Sequence, residues 1–248
     1  MYLTEPRLAD IVKKQIQYKF NGYTGVFTSL LVMQLLGIFT SFGNGGHFSS
    51  YGETLEIAQM QLTNDTLVIF TLVWAVIQGI LLTTMAYRND AFTFVSNRFS
   101  HHISSYLFLM IAAIIGGLTA ALAGSTIKLF AIMKYDSVAI ETAGFFSSPY
   151  DFALRVIASI FYTLLFASIG YAIGSLIQRS KLVIPIIFIA VFVGPWFLLG
   201  VSGFNINQIA LFYGNETSIV LFILKVLVTV VLLFVISVAI TNKTEVRK

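Results

Sequence analysis

The sequence predicts an all-α polytopic membrane protein with six transmembrane helices. Of its 248 residues, 57% are hydrophobic and 10% are charged, whereas about 25% are charged in an ordinary soluble domain. The mean hydropathy is +0.87. Six apolar segments each approach or exceed the ~20 residues that a helix needs to cross about 30 Å of hydrocarbon. These runs lack strand-like alternation, so they are predicted to be helices and not barrel strands.

The predicted spans form one transmembrane domain, 1–248, and cover residues 22–42, 66–87, 103–123, 152–177, 182–200 and 218–241. The third span has no clear end, because apolar residues continue past Ala123, and the fifth contains Pro185, Gly194 and Pro195. No small-residue cleavage site follows the first apolar run, so that run is expected to remain as a span.

Residues 1–20 are predicted to form an amphipathic helix in the headgroup layer. Apolar residues recur there at helical spacing, namely Leu8, Ile11, Val12, Ile16 and Phe20. The other side is predicted to carry Lys13, Lys14 and Gln15. The alternative is a poorly ordered basic tail, and the periodicity argues against it.

The distribution of charge predicts a multi-pass protein of the cell membrane with both termini in the cytoplasm. With the N-terminus inside, the cytoplasmic side receives Arg7, Lys13, Lys14, Lys19, Arg88, Arg98, Arg179, Lys181, Lys243, Arg247 and Lys248. Only Lys128 and Lys134 fall outside, while Arg155 and Lys225 lie in the outer parts of spans. Most acids are external: Glu53, Glu56, Asp65, Asp136, Glu141, Asp151 and Glu216. The reverse topology would invert these assignments.

The connection after the second span, 88–102, is unusually apolar for a short cytoplasmic loop. It carries Phe92, Phe94, Val95 and Phe99, flanked by Arg88 and Arg98. Asn89 or Asp90 is suited to cap a short helix. One interpretation is that the rings dip into the membrane interface. The other is a docking surface for a cytoplasmic partner, with aromatic anchors and arginines at the rim.

The external connections differ in character. Residues 43–65 form a polar, glycine-rich loop, and residues 128–151 form a second long one. Residues 201–217 mix apolar and amide side chains, which suits a short re-entrant element before the last span. Irregular backbone at membrane depth requires protein around it.

Few polar groups lie within the predicted spans. Gln34 and Gln78 are costly in lipid, so each should face protein or a polar cavity. Lys225 has three interpretations: it snorkels outward, pairs with an acid such as Glu216, or contacts substrate.

A G-x-x-x-G motif at Gly170 and Gly174 predicts close helix packing, within the monomer or between copies.

Catalytic motifs are missing from the sequence. It contains no cysteine, and its three histidines, His47, His101 and His102, are predicted to lie in loops, so neither a catalytic set within the bilayer nor a metal site is expected. No G-x-x-x-x-G-K-[ST] motif is present. The chain is therefore expected not to be an enzyme. Nucleic-acid binding is not expected, because the basic residues form no long run.

Two stretches carry a resemblance to a known family. The first runs from Asn89-Asp90-Ala91-Phe92-Thr93-Phe94 to Arg98-Phe99-Ser100-His101-His102. The second is Ser168-Ile169-Gly170-Tyr171-Ala172-Ile173-Gly174-Ser175-Leu176-Ile177, followed by Gln178-Arg179-Ser180-Lys181. With the overall architecture, they resemble the ABC-2 type permease family, the transmembrane subunits of ATP-binding-cassette exporters.

The resemblance implies that residues 88–102 are a coupling helix that sits in a cleft of a cytoplasmic ATPase. The implied coupling residues are Arg88, Asp90, Phe92, Phe94, Val95, Asn97, Arg98 and Phe99. This chain would bind no cofactor, and the partner ATPase would bind ATP and magnesium. A second permease, identical or homologous, would complete the pathway.

The implied pathway has walls from the first, second and fifth spans, which would place Gln34, Gln78 and Trp196 near substrate, with Lys225 a further candidate. The apolar spans and 23 phenylalanines favour an amphipathic or hydrophobic cargo, such as a peptide or drug-like molecule. Two alternatives stay open: a self-sufficient channel or secondary carrier, and a non-transporting membrane scaffold or sensor subunit.

Overall fold

The computed structural model describes residues 7–43, 46–52, 55–61, 64–84, 87, 98–134, 138–139, 148–180, 182–192, 212–216 and 218–242. Within these ranges the helices are α1 (Leu8–Gly22), α2 (Thr24–Gly43), α3 (Asp65–Thr83), α4 (Arg98–Lys134), α5 (Pro149–Arg179), α6 (Val183–Phe192) and α7 (Ile219–Asn242). The strands are β1 (Gly46–Gly52), β2 (Leu55–Gln61) and β3 (Val138–Ala139).

Five of the described helices are long and apolar enough to cross a membrane: Thr24–Ser41, Asp65–Thr83, Phe99–Ile127, Pro149–Arg179 and Ile219–Thr241. The prediction of a helical, multi-pass membrane protein is therefore confirmed. The predicted fifth span is described only as α6, ten residues long. Residues 193–211, which include most of the predicted re-entrant element, lie outside the described residues.

Residues 43–65 are not simply the polar loop that the sequence predicted. β1 and β2 pair there as an antiparallel hairpin with Gly52 opposite Leu55, and β2 pairs with β3 in parallel. The alternation of Leu55, Glu56 and Ile57 is a strand pattern. The segment was predicted to be a loop because it is rich in glycine.

The helices pack around α5, which contacts α3, α4 and α7. Side-chain packing fixes their directions. On α3 and α5, Val76 lies at Gly170 and Ile80 at Gly174, so these two helices are parallel. On α4, the backbone of Ile160 lies at Gly117, while His102 bonds Tyr171 nearer the end of α5, so α4 is antiparallel to both.

The direction of α2 follows from contacts of the same kind. Gly37 of α2 meets Leu67, and Ser29 bonds Gln78 farther along α3, so α2 is antiparallel to α3. The start of α2, the start of α4, and the ends of α3 and α5 therefore share one end of the bundle. α1 packs on α4 at this end, which we call the α1 end. The opposite end, where β1 and β2 connect α2 to α3, is the hairpin end.

Candidate functional site

The middle of the bundle is held together by buried amide and indole groups. The Gln34 amide nitrogen donates to the carbonyl of Gly116 (3.2 Å) and to the Thr119 hydroxyl (2.9 Å), which joins α2 to α4. Ser29 accepts hydrogen bonds from the Gln78 amide (3.1 Å) and from the Trp74 indole (3.0 Å), which joins α2 to α3. Both glutamines are buried against protein. Their predicted place beside a pathway stays a prediction, and Trp196 lies outside the described residues.

The ammonium group of Lys225 has its ion-pair and hydrogen-bond partners within the chain. Its ammonium forms an ion pair with Glu216, donates to the Phe212 carbonyl (3.3 Å) and lies 4.1 Å from the centroid of the Phe212 ring. It therefore reaches back toward the start of α7 and pairs with the acid that the sequence analysis named. These contacts fasten residues 212–216 to the first two turns of α7.

A second polar group lies at the α1 end, and the sequence analysis did not single it out. The Lys19 ammonium donates to the hydroxyls of Ser104 and Ser105 on α4, at 2.8 Å each, and Lys19 is only 3% exposed. Burial lowers the pKa of Lys19 to about 7. Gln15, one turn earlier, is 1% exposed.

Gln15 corrects the predicted amphipathic pattern. The sequence analysis grouped it with Lys13 and Lys14, which are exposed, but the structure buries it beside Lys19. Residues 12, 15 and 19 are spaced by three and four, so they share one face of α1. This spacing alone would predict one buried face. Two of the three residues are polar, however, and polar residues of an amphipathic helix are normally assigned to its exposed side.

The prediction that the three histidines lie in loops is wrong: His47 lies in β1, and the adjacent His101 and His102 lie in α4. His102 is buried, and its Nδ1 is 2.7 Å from the hydroxyl of Tyr171 on α5. The helix begins at Arg98, earlier than predicted. Its first turns therefore extend the apolar span with polar residues that find partners on α1 and α5.

The predicted coupling residues fall mainly outside the described part of the chain: Arg88, Asp90, Phe92, Phe94, Val95 and Asn97. Arg98 is the first residue of α4. Phe99, the next residue, is 46% exposed. α4 thus emerges from this segment with an exposed aromatic ring.

Gly170 and Gly174 face α3 of the same chain. A Cβ atom at Gly170 would lie 2.8 Å from the Val76 Cα, and one at Gly174 would lie 3.0 Å from the Ile80 Cα. Gly79 of α3 is the reciprocal small residue, since its own Cβ would lie 2.6 Å from the Tyr171 backbone nitrogen. Gly79 was not among the predicted packing residues, although a lone glycine in an apolar span indicates close helix packing.

No three His, Asp or Glu side chains within the described ranges are grouped as a metal site. The fold and its buried polar groups define a membrane-embedded, multi-pass helical protein. Neither a protein-family model nor a curated protein matches the chain.

Proposed function

We propose that the chain is the permease subunit of an ABC exporter of the ABC-2 type, driven by a separate cytoplasmic ATPase. It would pair with a second copy or a homologue, and the pathway would run between the two. The observation that carries the proposal is the composition of the α1 end, where α1, the end of α3, the start of α4 and the exposed Phe99 all lie. This is the arrangement expected of a docking surface beside an interfacial helix.

The directions of the helices support six spans. The Tyr162 hydroxyl donates to the Tyr213 carbonyl (3.1 Å), and the ring of Tyr162 packs on Phe222, near the start of α7. The ring of Tyr106 contacts both Tyr171 and Phe234, farther along both helices. α5 and α7 are therefore parallel. This parallel direction supports one further crossing between the two helices, the span predicted at 182–200.

The same directions support both termini on one side. α2 begins and α7 ends at the α1 end. The described basic residues Arg7, Lys13, Lys14 and Arg179 lie at this end, and the positive-inside rule supports a cytoplasmic location for it. The proposed docking segment then faces the cytosol, where nucleotide is available.

The cargo that we propose is amphipathic or hydrophobic, such as a peptide or a drug-like molecule. Large apolar side chains are exposed on α2, α3 and α6, the described helices of the predicted pathway walls. Charged residues described within the spans lie near their ends, as Lys225 and Arg155 do. A surface of this kind suits a lipid-soluble substrate better than a polyanion.

Co-purification tests the proposed function. We expect an ATPase subunit to purify with the tagged chain from its native membrane, and the double change Phe92→Ala/Phe94→Ala to release it because the aromatic anchors are lost. Arg98→Glu should weaken the complex through charge reversal.

Matched controls lie at the hairpin end. Tyr150→Ala and Arg155→Glu alter an exposed aromatic and an exposed arginine there, and both should leave the complex intact. Co-purification that survives the changes at 92, 94 and 98 would contradict the docking assignment. Solute transport by the chain alone in liposomes under an ion gradient would favour a carrier instead.

A further inference from the structure

α1 is held against α4 by one face with an unusual composition. Val12, Gln15 and Lys19 are all buried, whereas Lys13 and Lys14 are exposed. The ring of Phe20 packs on Phe108 of α4, with centroids 5.2 Å apart. An apolar contact is thus combined with a buried amine and a buried amide.

Lys19 has no acidic partner in the described part of the chain. Its two bonds go to neutral hydroxyls, and none of the described carboxylates lies within salt-bridge distance. Within one turn of Ser104 and Ser105, the titratable groups of α4 are His101, His102 and Tyr106, and Tyr171 of α5 bonds His102. None of these is an acid that is ionised at neutral pH, so a positive charge at this position is poorly compensated.

Gln15 adds a second unfavourable contribution to the free energy of docking α1. Both its amide oxygen and its amide nitrogen are buried without a hydrogen-bond partner among the described residues. Burying such groups costs free energy, because they lose the hydrogen bonds that water or lipid headgroups would make with them. The docked position of α1 therefore combines favourable apolar packing with two penalties, and such an element is suited to exist in two positions.

We propose that α1 is a two-position latch, docked on α4 when Lys19 is neutral and released into the headgroup layer when Lys19 gains a proton. After release, Lys19 joins Lys13 and Lys14 in contact with water and lipid phosphate, and Gln15 regains hydrogen bonds. The latch does not involve an ATPase, so its test is independent of the test of the proposed function.

The direction of the pH effect follows from linkage. Burial lowers the pKa of docked Lys19 to about 7, and the pKa of a released lysine is near 10.5. The released form binds more protons between these values, so docking weakens as the pH falls through this window and levels off below about 7. One titrating group changes the ratio of released to docked α1 by at most about tenfold per pH unit.

Spin-label distances can test the latch, because the chain has no cysteine. Lys14→Cys and Arg179→Cys place labels on exposed positions of α1 and of the end of α5 in the full-length protein, in lipid nanodiscs. We expect a docked distance at pH 9 and a growing second population as the pH falls to 7. A pair on α5 alone, Tyr150→Cys with Arg179→Cys, should keep one distance throughout.

Two further variants separate the contributions. Lys19→Met removes the proton site and should keep the docked distance at every pH, while Gln15→Leu should raise the docked fraction and retain the pH dependence. A single distance in the unmodified background at all pH values would overturn the proposal. An unchanged pH profile in Lys19→Met would also overturn it. The first of these outcomes decides the matter even if Lys19→Met fails to fold.

Discussion

At the scale of single residues, the two amides buried in the middle of the bundle connect neighbouring helices, whereas most buried hydroxyls bond a carbonyl of their own helix. Gln34 and Gln78 each donate to an acceptor on another helix, as the cost of an unpaired amide in lipid requires. The sequence predicted that they would face protein or a polar cavity, because a hydropathy pattern makes them stand out. It could not predict Gln15 and Lys19, because polar residues on an amphipathic helix are normally assigned to its wet face.

Lys225 and Glu216 should behave as one unit. We expect Lys225→Met and Glu216→Gln each to lower the free energy of unfolding by about 0.5–1 kcal/mol, since both side chains are partly exposed. The double variant should cost no more than either single change. Thermal unfolding of the four proteins in detergent measures this coupling. Additive losses would show that the pair does not exist in the membrane protein.

At the scale of elements, α3 and α5 approach more closely than ordinary side chains allow. Gly79, Gly170 and Gly174 line this crossing, and the indole of Trp74 and the amide of Gln78 anchor α3 to α2 on its other side. The G-x-x-x-G spacing predicted close packing. It left the partner open, because small residues permit approach by any helix with a complementary surface.

Gly170→Ala should force these two helices apart. The added methyl group would meet the backbone of Val76, which has no flexible end to move aside. We expect a loss of about 1–3 kcal/mol, as for overpacked cores, visible as a lower midpoint of thermal unfolding. Gly25→Ala on α2 is the matched control: nothing lies within 4 Å of its added methyl, so a gain of up to about 1 kcal/mol is expected. Equal effects at both sites would contradict the close crossing.

At the scale of the whole molecule, hydropathy predicted the spans well where they were continuous. The starts and ends of α2, α3, α5 and α7 lie within a few residues of the expected limits. α4 ends later than its predicted span because the apolar residues continue past Ala123. It begins earlier because its polar first turns pack on α1 and α5. Hydropathy cannot predict such tertiary partners.

The parallel arrangement of α5 and α7 leads to a topology test. Single cysteines at Lys14, Arg179 and Thr241 should react with a membrane-impermeant maleimide only from the cytoplasmic side. Cysteines at Tyr150 and Phe212 should react only from the outside. The absence of native cysteine makes every label specific. Labelling of positions 179 and 212 from the same side would contradict a span between them.

The central place of α5 has a consequence for biogenesis. α5 is the fourth of the five described spans to leave the ribosome, yet α3 packs its glycine face against it. Until residue 179 has been synthesised, Gly79 lacks the helix that covers it, and among the described helices α2 and α4 are the earlier partners of α3. A chain that stops before Pro149 would therefore present an open groove in the bilayer, which is the kind of surface that membrane chaperones and quality-control proteases recognise.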